Sequence, residues 1–105
     1  MGMANPIPLR MTDSFFLRII REVAADTSRV KFSRHALDRM EERGFTTGQV
    51  YTCLQRGGIH EPVHQDVRGD HKCTLRHLCA GDEVRVAVAL KRNGRGEWIA
   101  VLTVF

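Results

Sequence analysis

The sequence predicts an α+β domain in which two to three N-terminal helices pack on one face of a four-stranded antiparallel sheet. Two observations lead to this fold class. Apolar residues recur at helical spacing in the first half of the chain, whereas from residue 59 onward they alternate with a period of two. The alternating segments are joined by short, turn-like connections, which favours an antiparallel meander.

Length and composition fit one small domain. The chain has 105 residues, of which 43% are hydrophobic, so we expect a single packed core within residues 12–105. Residues 1–11 contain Pro6 and Pro8 without periodicity, and we expect a loose arm there. The formal net charge of +4 is compatible with a polyanionic partner without requiring one.

The cysteine count and the hydropathy pattern indicate the cellular compartment of the protein. The chain has three cysteines, an odd number, and no charged-then-apolar order typical of a secretory signal, so reduced thiols are expected rather than a disulfide framework. No apolar run approaches the roughly 20 residues that span a bilayer. These features predict a cytoplasmic protein without a membrane partner.

The first and third helices have recognisable ends. Thr12 or Asp13 can cap a first helix that runs to about Ala25. Residues 30–32 are expected to be a short extended lead into the second helix. Residues 46–49, Thr-Thr-Gly-Gln, are typical of a capping box, and Gly57-Gly58 ends the third helix that follows.

The second helix, residues 33–44, is the most informative stretch. Ser33 is a typical N-cap and Gly44 a typical C-cap. At about 100° per residue, one stripe of its surface is formed by His35, Arg39 and Arg43. An adjacent apolar stripe is formed by Ala36, Leu37 and Met40.

The remaining sequence predicts four strands, at residues 59–67, 71–80, 83–91 and 97–105. The last strand is apolar on both sides and is expected inside the sheet. Strand parity places Val84, Val86, Val88 and Leu90 under the helices. The opposite side, which we call the open face, then carries Lys72, Arg76, Arg85 and Lys91. Ala87 and Ala89 leave room there for a ligand backbone, and the side of Thr103 is not assigned.

The stripe on the second helix has two interpretations. Cleavage of RNA by its ribose 2′-oxygen needs a base, an acid and cations, which imidazole and guanidinium groups supply. The alternative is an ordinary surface helix whose arginines pair with Asp38, Glu41 and Glu42 at helical spacing. Arg92 and Arg95 lie in a predicted hairpin loop, where they could touch a backbone phosphate.

Histidine and cysteine residues raise a metal hypothesis that spacing disfavours. His71, Cys73, His77 and Cys79 alternate along one strand and span roughly 25 Å at about 3.3 Å per residue, too far for one ion. Two of them could share a metal with His60 or His64, but buried thiols and a core histidine are favoured. No local sequence supports a nucleophilic Cys–His pair with Cys53 or Cys73.

Residues 32–44, Phe-Ser-Arg-His-Ala-Leu-Asp-Arg-Met-Glu-Glu-Arg-Gly, resemble the S-x-H-A-x-x-R-M-x-x-R-G signature of a bacterial family catalogued as a domain of unknown function. A capped helix ending in Gly-Gly-Ile, a strand rich in Val and Ala, and a last strand ending Thr-Val-Phe extend the resemblance over residues 30–105. This family is similar to the RelE/ParE and MqsR toxins, in which helices pack on one side of an antiparallel sheet.

The resemblance implies an mRNA interferase or RNase-like toxin encoded beside a cognate antitoxin. It carries over His35, Arg39 and Arg43 as polar positions of the motif, and Thr103 as the polar residue of the last strand. Relatives often end this strand in tyrosine, where this chain has Phe105. A phenol is therefore not available here for acid–base chemistry.

Together these features predict a metal-independent endoribonuclease that binds RNA across the open face. The predicted catalytic residues are His35, Arg39, Arg43, Arg85 and Thr103. The predicted nucleic-acid-binding residues are Lys72, Arg76, Lys91, Arg92 and Arg95. No metal or cofactor is expected. The expected partners are RNA and an antitoxin, and the sequence does not decide between a monomer and a homodimer. The alternatives are a non-catalytic nucleic-acid-binding or protein-binding module on the same scaffold, and a structural role for Arg39 and Arg43.

Overall fold

The computed structural model describes residues 11–105, which form three α-helices and one five-stranded sheet. The helices are α1 (Asp13–Ala24), α2 (Arg34–Arg43) and α3 (Thr47–Arg56), with a 3₁₀ turn at Thr27–Arg29. The strands are β1 (Val30–Phe32), β2 (Gly58–Gln65), β3 (His71–Cys79), β4 (Asp82–Asn93) and β5 (Gly96–Val104). They lie in the order β1-β5-β4-β3-β2, and the α+β class is confirmed.

The prediction of a four-stranded antiparallel sheet is wrong in one respect, because β1 adds a fifth strand and makes the sheet mixed. Val30 lies opposite Ile99 and Phe32 opposite Val101 in a parallel pairing with β5. Three residues are too few to show a period, and their partner is the last strand of the chain. Since β1 lies between α1 and α2, the helices do not all precede the sheet. The interior position of β5 is confirmed.

The helix ends follow the local sequence. The Ser33 hydroxyl accepts the Ala36 N–H at 3.0 Å, and Gly44 ends α2 with a left-handed φ of 72°. Thr46 and Gln49 form a reciprocal capping box at the start of α3. These local predictions are confirmed. They could be made from the sequence because each depends only on neighbours within one helical turn.

All three helices share one core and therefore lie on the same side of the sheet. Each contributes fully or nearly fully buried side chains to a single cluster, among them Phe16 and Ile20 of α1, Ala36 and Met40 of α2, and Val50 and Leu54 of α3. Strand β4 contributes Val84, Val86 and Val88, as strand parity predicts. Ala89 is also fully buried but does not belong to this cluster, which places it on the opposite side.

The predicted arm lies outside the described residues except for Met11, which packs against the core. Within residues 11–105, no helix combines the length and apolar character needed to cross a membrane.

Candidate nucleic-acid interface

The open face is defined by the register of β3, β4 and β5. Directly opposed residues in antiparallel strands present their side chains on the same face. Along β4 the opposed sets are Arg85 with Arg76 and Phe105, Ala87 with Thr74 and Thr103, Ala89 with Lys72 and Ala100, and Lys91 with Trp98. The face therefore has a floor of small residues between long side chains, and Thr103 belongs to it.

The floor is more covered than the sequence predicts. Ala89 is fully buried and Thr74 is only 4% exposed, although both lie on the side away from the helices. The Thr74 hydroxyl donates to the Glu61 carboxylate at 2.9 Å. The centre of the face is thus covered, whereas Ala87, Ala100 and Thr103 are half-buried.

Three of the four predicted cations of the open face have carboxylate partners. Lys72 pairs with Asp66 at 2.9 Å, Lys91 pairs with Asp70, and Arg76 pairs with Glu83. The side chains lie where strand parity places them, but their charges are largely neutralised. The sequence pattern did not indicate this pairing because both aspartates come from the turn that joins β2 to β3.

Asp66 organises that turn as well as pairing with Lys72. Its carboxylate accepts the backbone N–H groups of Arg68 and Asp70, each at 2.9 Å. The hydrogen bond from Lys72, together with these two N–H groups, lowers the pKa of Asp66 to about 2 against the opposing effect of desolvation. Asp66 therefore stays ionised, and the turn holds Lys72 at the edge of the face.

Arg85 differs from the other three cations. The ion pairs within residues 11–105 do not include it, and its Nη1 lies 3.5 Å from Nε2 of His60. Its Cζ lies 5.7 Å from the centre of the Phe105 ring, a cation–π contact. The aromatic ring thus supports the guanidinium without using its N–H donors; Nη1 faces His60, and the remaining donors stay available for an anionic ligand.

His60 is the residue that sequence analysis missed as part of this site. The pairing of β2 with β3 shifts register between Ile59 and Glu61, and His60 lies in that irregularity. The Glu83 carboxylate, which pairs with Arg76, faces the same groups: the hydrogen bond from Arg76, followed by the charges of Arg76, Arg85 and His60, lowers the pKa of Glu83 against the effect of desolvation. We call His60, Glu83, Arg85 and Phe105 the Arg85 cluster. A β-bulge leaves no clear signal in a single sequence. The sequence therefore shows that residue 60 is a histidine but not that its side chain lies beside Arg85.

The predicted stripe on α2 is spread along the helix. Ser33 ties the start of α2 to β5, because its N–H donates to the Val101 carbonyl at 3.0 Å and its hydroxyl to the Leu102 carbonyl at 2.9 Å. His35, in the first turn, is exposed beside this part of β5. Arg43 is exposed at the other end of α2, roughly 12 Å further at about 1.5 Å per residue.

Arg39, between these two residues, is partly structural. Its Nη1 pairs with Glu42 at 3.1 Å, and its side chain is 35% exposed. Its Nε is buried and has no hydrogen-bond partner among residues 11–105. This partial burial and pairing match the surface-helix alternative more closely than a guanidinium free to hold phosphate.

Arg92 and Arg95 lie at the far end of β4 from Arg85. Arg92 pairs with Glu97 at 3.1 Å, and the Arg95 N–H donates to the Asn93 side chain at 2.8 Å in the hairpin. At about 3.4 Å per residue, Arg92 is roughly 24 Å from Arg85. These arginines cannot act on the same phosphate as Arg85.

Two of the three cysteines do not supply a nucleophile to this surface. Cys53 and Cys73 are buried in the core, and burial raises the pKa of each thiol to about 12. Within the described part of the chain, no three His, Cys, Asp or Glu side chains come together as metal ligands. The chemistry of the open face therefore depends on imidazole, guanidinium and carboxylate groups.

The fold and this surface define an α+β protein with three helices on one side of a mixed sheet and a polar, partly cationic face on the other. The sequence model described as "Domain of unknown function (DUF4258)" matches residues 32–105, and the chain belongs to this family. The match runs from the end of β1 through β5 and includes both α2 and the Arg85 cluster. Comparisons with curated proteins and with solved structures find no significant match.

Proposed function

We propose that this protein is a toxin-type endoribonuclease that binds RNA across the open face and cleaves it without a metal ion. The observation that supports this proposal most directly is the Arg85 cluster. It places a guanidinium that forms no ion pair among residues 11–105 at 3.5 Å from an imidazole. Arg85 precedes Ala87 by two residues on the same face, and Ala87 pairs with Thr103.

Arg85 is the phosphate-binding group in this mechanism. A guanidinium donates two parallel N–H bonds to phosphate oxygens and keeps its charge at any physiological pH. The Phe105 ring restricts the guanidinium to one position, which reduces the entropy lost when RNA binds. As the ribose 2′-oxygen attacks phosphorus, Arg85 stabilises the additional negative charge of the transition state.

His60 is positioned to transfer a proton at this phosphate. Attack by the 2′-oxygen forms a new P–O bond and releases its proton to a base, while the P–O5′ bond breaks and the leaving oxygen takes a proton from an acid. His60 supplies one of these two groups. We assign the other group to His35 from the α2 motif: α2 packs on the helical side of the sheet, but its first turn begins at the β5 strand, where Ser33 binds the Leu102 carbonyl. The products are a 2′,3′-cyclic phosphate and a 5′-hydroxyl.

The toxin part of the proposal rests on the likeness of this family, whose signature the α2 motif and the last strand resemble, to the RelE/ParE and MqsR toxins. A cognate antitoxin would then bind this protein and block the open face. An acidic antitoxin segment over Arg85 would exclude RNA by occupying the same donors. This partner is testable by co-expression with the adjacent open reading frame.

The test of the catalytic proposal is RNA cleavage by purified protein in the presence of EDTA. We expect Arg85→Ala and His60→Ala each to lower kcat/KM by about 10²- to 10⁴-fold. Arg18→Ala is the matched control, because Arg18 is an exposed arginine of α1 on the helical side, and it should change the rate less than twofold. If the wild-type protein does not cleave RNA, or if Arg85→Ala cleaves it equally fast, the proposal is wrong.

A second candidate function is RNA binding without cleavage. Two observations favour it: three of the four open-face cations are already paired, and Phe105 supplies no phenol. This alternative predicts salt-dependent binding of RNA that Arg85→Ala weakens, with no product formed after long incubation.

A further inference from the structure

A second cationic surface lies at the far end of the open face, around Trp98. A cleft of about 400 Å³ opens there between the 3₁₀ turn, β1 and the β4–β5 hairpin. This volume is within the range of about 300–1,000 Å³ found for small-ligand pockets. Its principal wall residues are Ser28, Arg29, Lys31, Arg95, Glu97 and Trp98. We call it the Trp98 cleft.

The charge of the Trp98 cleft is positive. Its acidic residue, Glu97, is already paired with Arg92 at 3.1 Å. Arg29 donates its Nε to the backbone carbonyl of Glu97 at 2.9 Å, which fixes the guanidinium in the wall and leaves its terminal N–H groups available. Lys31 and Arg95 are exposed, and the ion pairs recorded for residues 11–105 include neither. Three cations therefore favour an anionic ligand.

The aromatic wall indicates which kind of anion. Trp98 is half-buried, lies opposite Lys91 on the open face, and has the Lys31 Nζ 5.8 Å from its ring centre. A flat indole beside cations suits a nucleobase with its phosphate, because bases stack on aromatic side chains while cations track the backbone. An acidic peptide would use the cations but not the stacking surface.

We propose that the Trp98 cleft is a nucleotide subsite, in which one base of single-stranded RNA stacks on Trp98 and the adjoining phosphate binds Lys31 and Arg95. This inference rests on the proposed function, since it treats the Arg85 cluster and the cleft as two contacts with one strand. Lys91, the partner of Trp98, is six residues from Arg85 along β4, or about 20 Å at about 3.4 Å per residue.

The separation sets the number of nucleotides between the two contacts. A stacked strand advances about 3.4 Å per nucleotide and a splayed strand roughly twice as far. The cleft therefore binds a nucleotide roughly three to six positions from the phosphate at Arg85. An RNA shorter than this separation cannot use both contacts.

The test measures binding independently of cleavage. An RNA octamer methylated at every 2′-oxygen cannot undergo 2′-attack, and fluorescence anisotropy of a 5′-label reports its affinity. We expect Trp98→Ala to weaken octamer binding by about 5- to 150-fold, the range for loss of one stacked base. Trp98→Phe should retain most of the affinity. A methylated dinucleotide can occupy only one of the two contacts, so it should bind the wild type much more weakly than the octamer does.

Two further measurements keep the result clear if Trp98→Ala folds poorly. Arg95 is exposed, so Arg95→Ala should fold normally and lower the slope of log affinity against log salt by about one. Trp98 is the only tryptophan of the chain, so the octamer should quench the intrinsic fluorescence of the wild type, and Arg95→Ala should require more octamer for the same quenching.

The outcomes separate this inference from the proposed function. If the octamer binds Trp98→Ala and Arg95→Ala as tightly as the wild type, the subsite is wrong even when RNA is cleaved. If binding depends on Trp98 but natural RNA is not cut, the catalytic proposal is wrong and the subsite stands. If polyglutamate displaces the octamer as well as unlabelled RNA does, the cleft is a binding site for an acidic protein segment and the inference is overturned.

Discussion

Arg85 shows how its neighbours decide whether a cation on this sheet can bind a ligand. Lys72, Arg76 and Lys91 share its face, yet each meets a carboxylate from a turn or an adjacent strand. Arg85 instead meets an imidazole and an aromatic ring. Strand parity was sufficient to place all four side chains on one face, but it could not indicate which carboxylates would approach them.

The support that Phe105 gives to Arg85 leads to a prediction for the chain's last strand. A cation–π contact at a partly exposed site contributes about 0.5–1 kcal/mol, so Phe105→Ala should lower kcat/KM for RNA about 2- to 5-fold. Phe105→Tyr keeps the ring and should retain the wild-type rate. Phe15, an exposed phenylalanine on α1, provides the control variant Phe15→Ala. A Phe105→Ala protein with unchanged kcat/KM would show that the ring does not position Arg85.

At the scale of elements, the helix ends and the antiparallel order of β2 to β5 were predictable, whereas the partner of β1 was not. Ser33, Gly44 and the Thr46–Gln49 box act within one turn, so their sequence signals are complete. The β1–β5 pairing and the irregularity at His60 depend on segments far apart in the chain. Half of the candidate site therefore required the structure, because one of its two key side chains lies in that irregularity.

Gly57 lies at the junction of α3 with β2, where the backbone of the helix packs closely on the sheet. A Cβ added to Gly57 would lie 2.5 Å from the Cys53 carbonyl oxygen and 2.8 Å from the Arg76 carbonyl oxygen, both backbone atoms. We expect Gly57→Ala to lower the free energy of unfolding by about 1–3 kcal/mol in urea denaturation. Gly58→Ala is the matched control, since nothing lies within 4 Å of its added Cβ. Equal stability of the two variants would contradict this packing.

The turn between β2 and β3 gives a pH-dependent prediction. The pKa of Asp66 falls from its ordinary 3.8 to about 2 on folding, so its contribution to stability is present above pH 4 and is lost as pH falls towards 2. The Tm of the wild type should therefore exceed that of Asp66→Asn at neutral pH, and the difference should shrink between pH 4 and pH 2. Asp82→Asn, at an exposed position, should show no such closing difference. A constant difference across this range would rule out the Asp66–Lys72 contact as its source.

At the scale of the whole molecule, the sheet separates two environments. The helical side holds the apolar core and buries two thiols, whose raised pKa keeps them protonated. The other side carries the polar residues, with the Arg85 cluster at one end and the Trp98 cleft at the other. Composition alone predicted a modest basic excess. The structure adds where cations lie on this face: Arg85 at one end, and Lys31 and Arg95 at the other.

The most direct test of the central claim is the chemistry of the RNA ends that the purified protein produces. A defined oligoribonucleotide is incubated with the full chain in EDTA, and the products are analysed by mass spectrometry. Attack by the 2′-oxygen at a phosphate held by Arg85 predicts fragments that end in a 2′,3′-cyclic phosphate and begin with a 5′-hydroxyl. Intact RNA, or fragments bearing 5′-phosphates, would contradict the account.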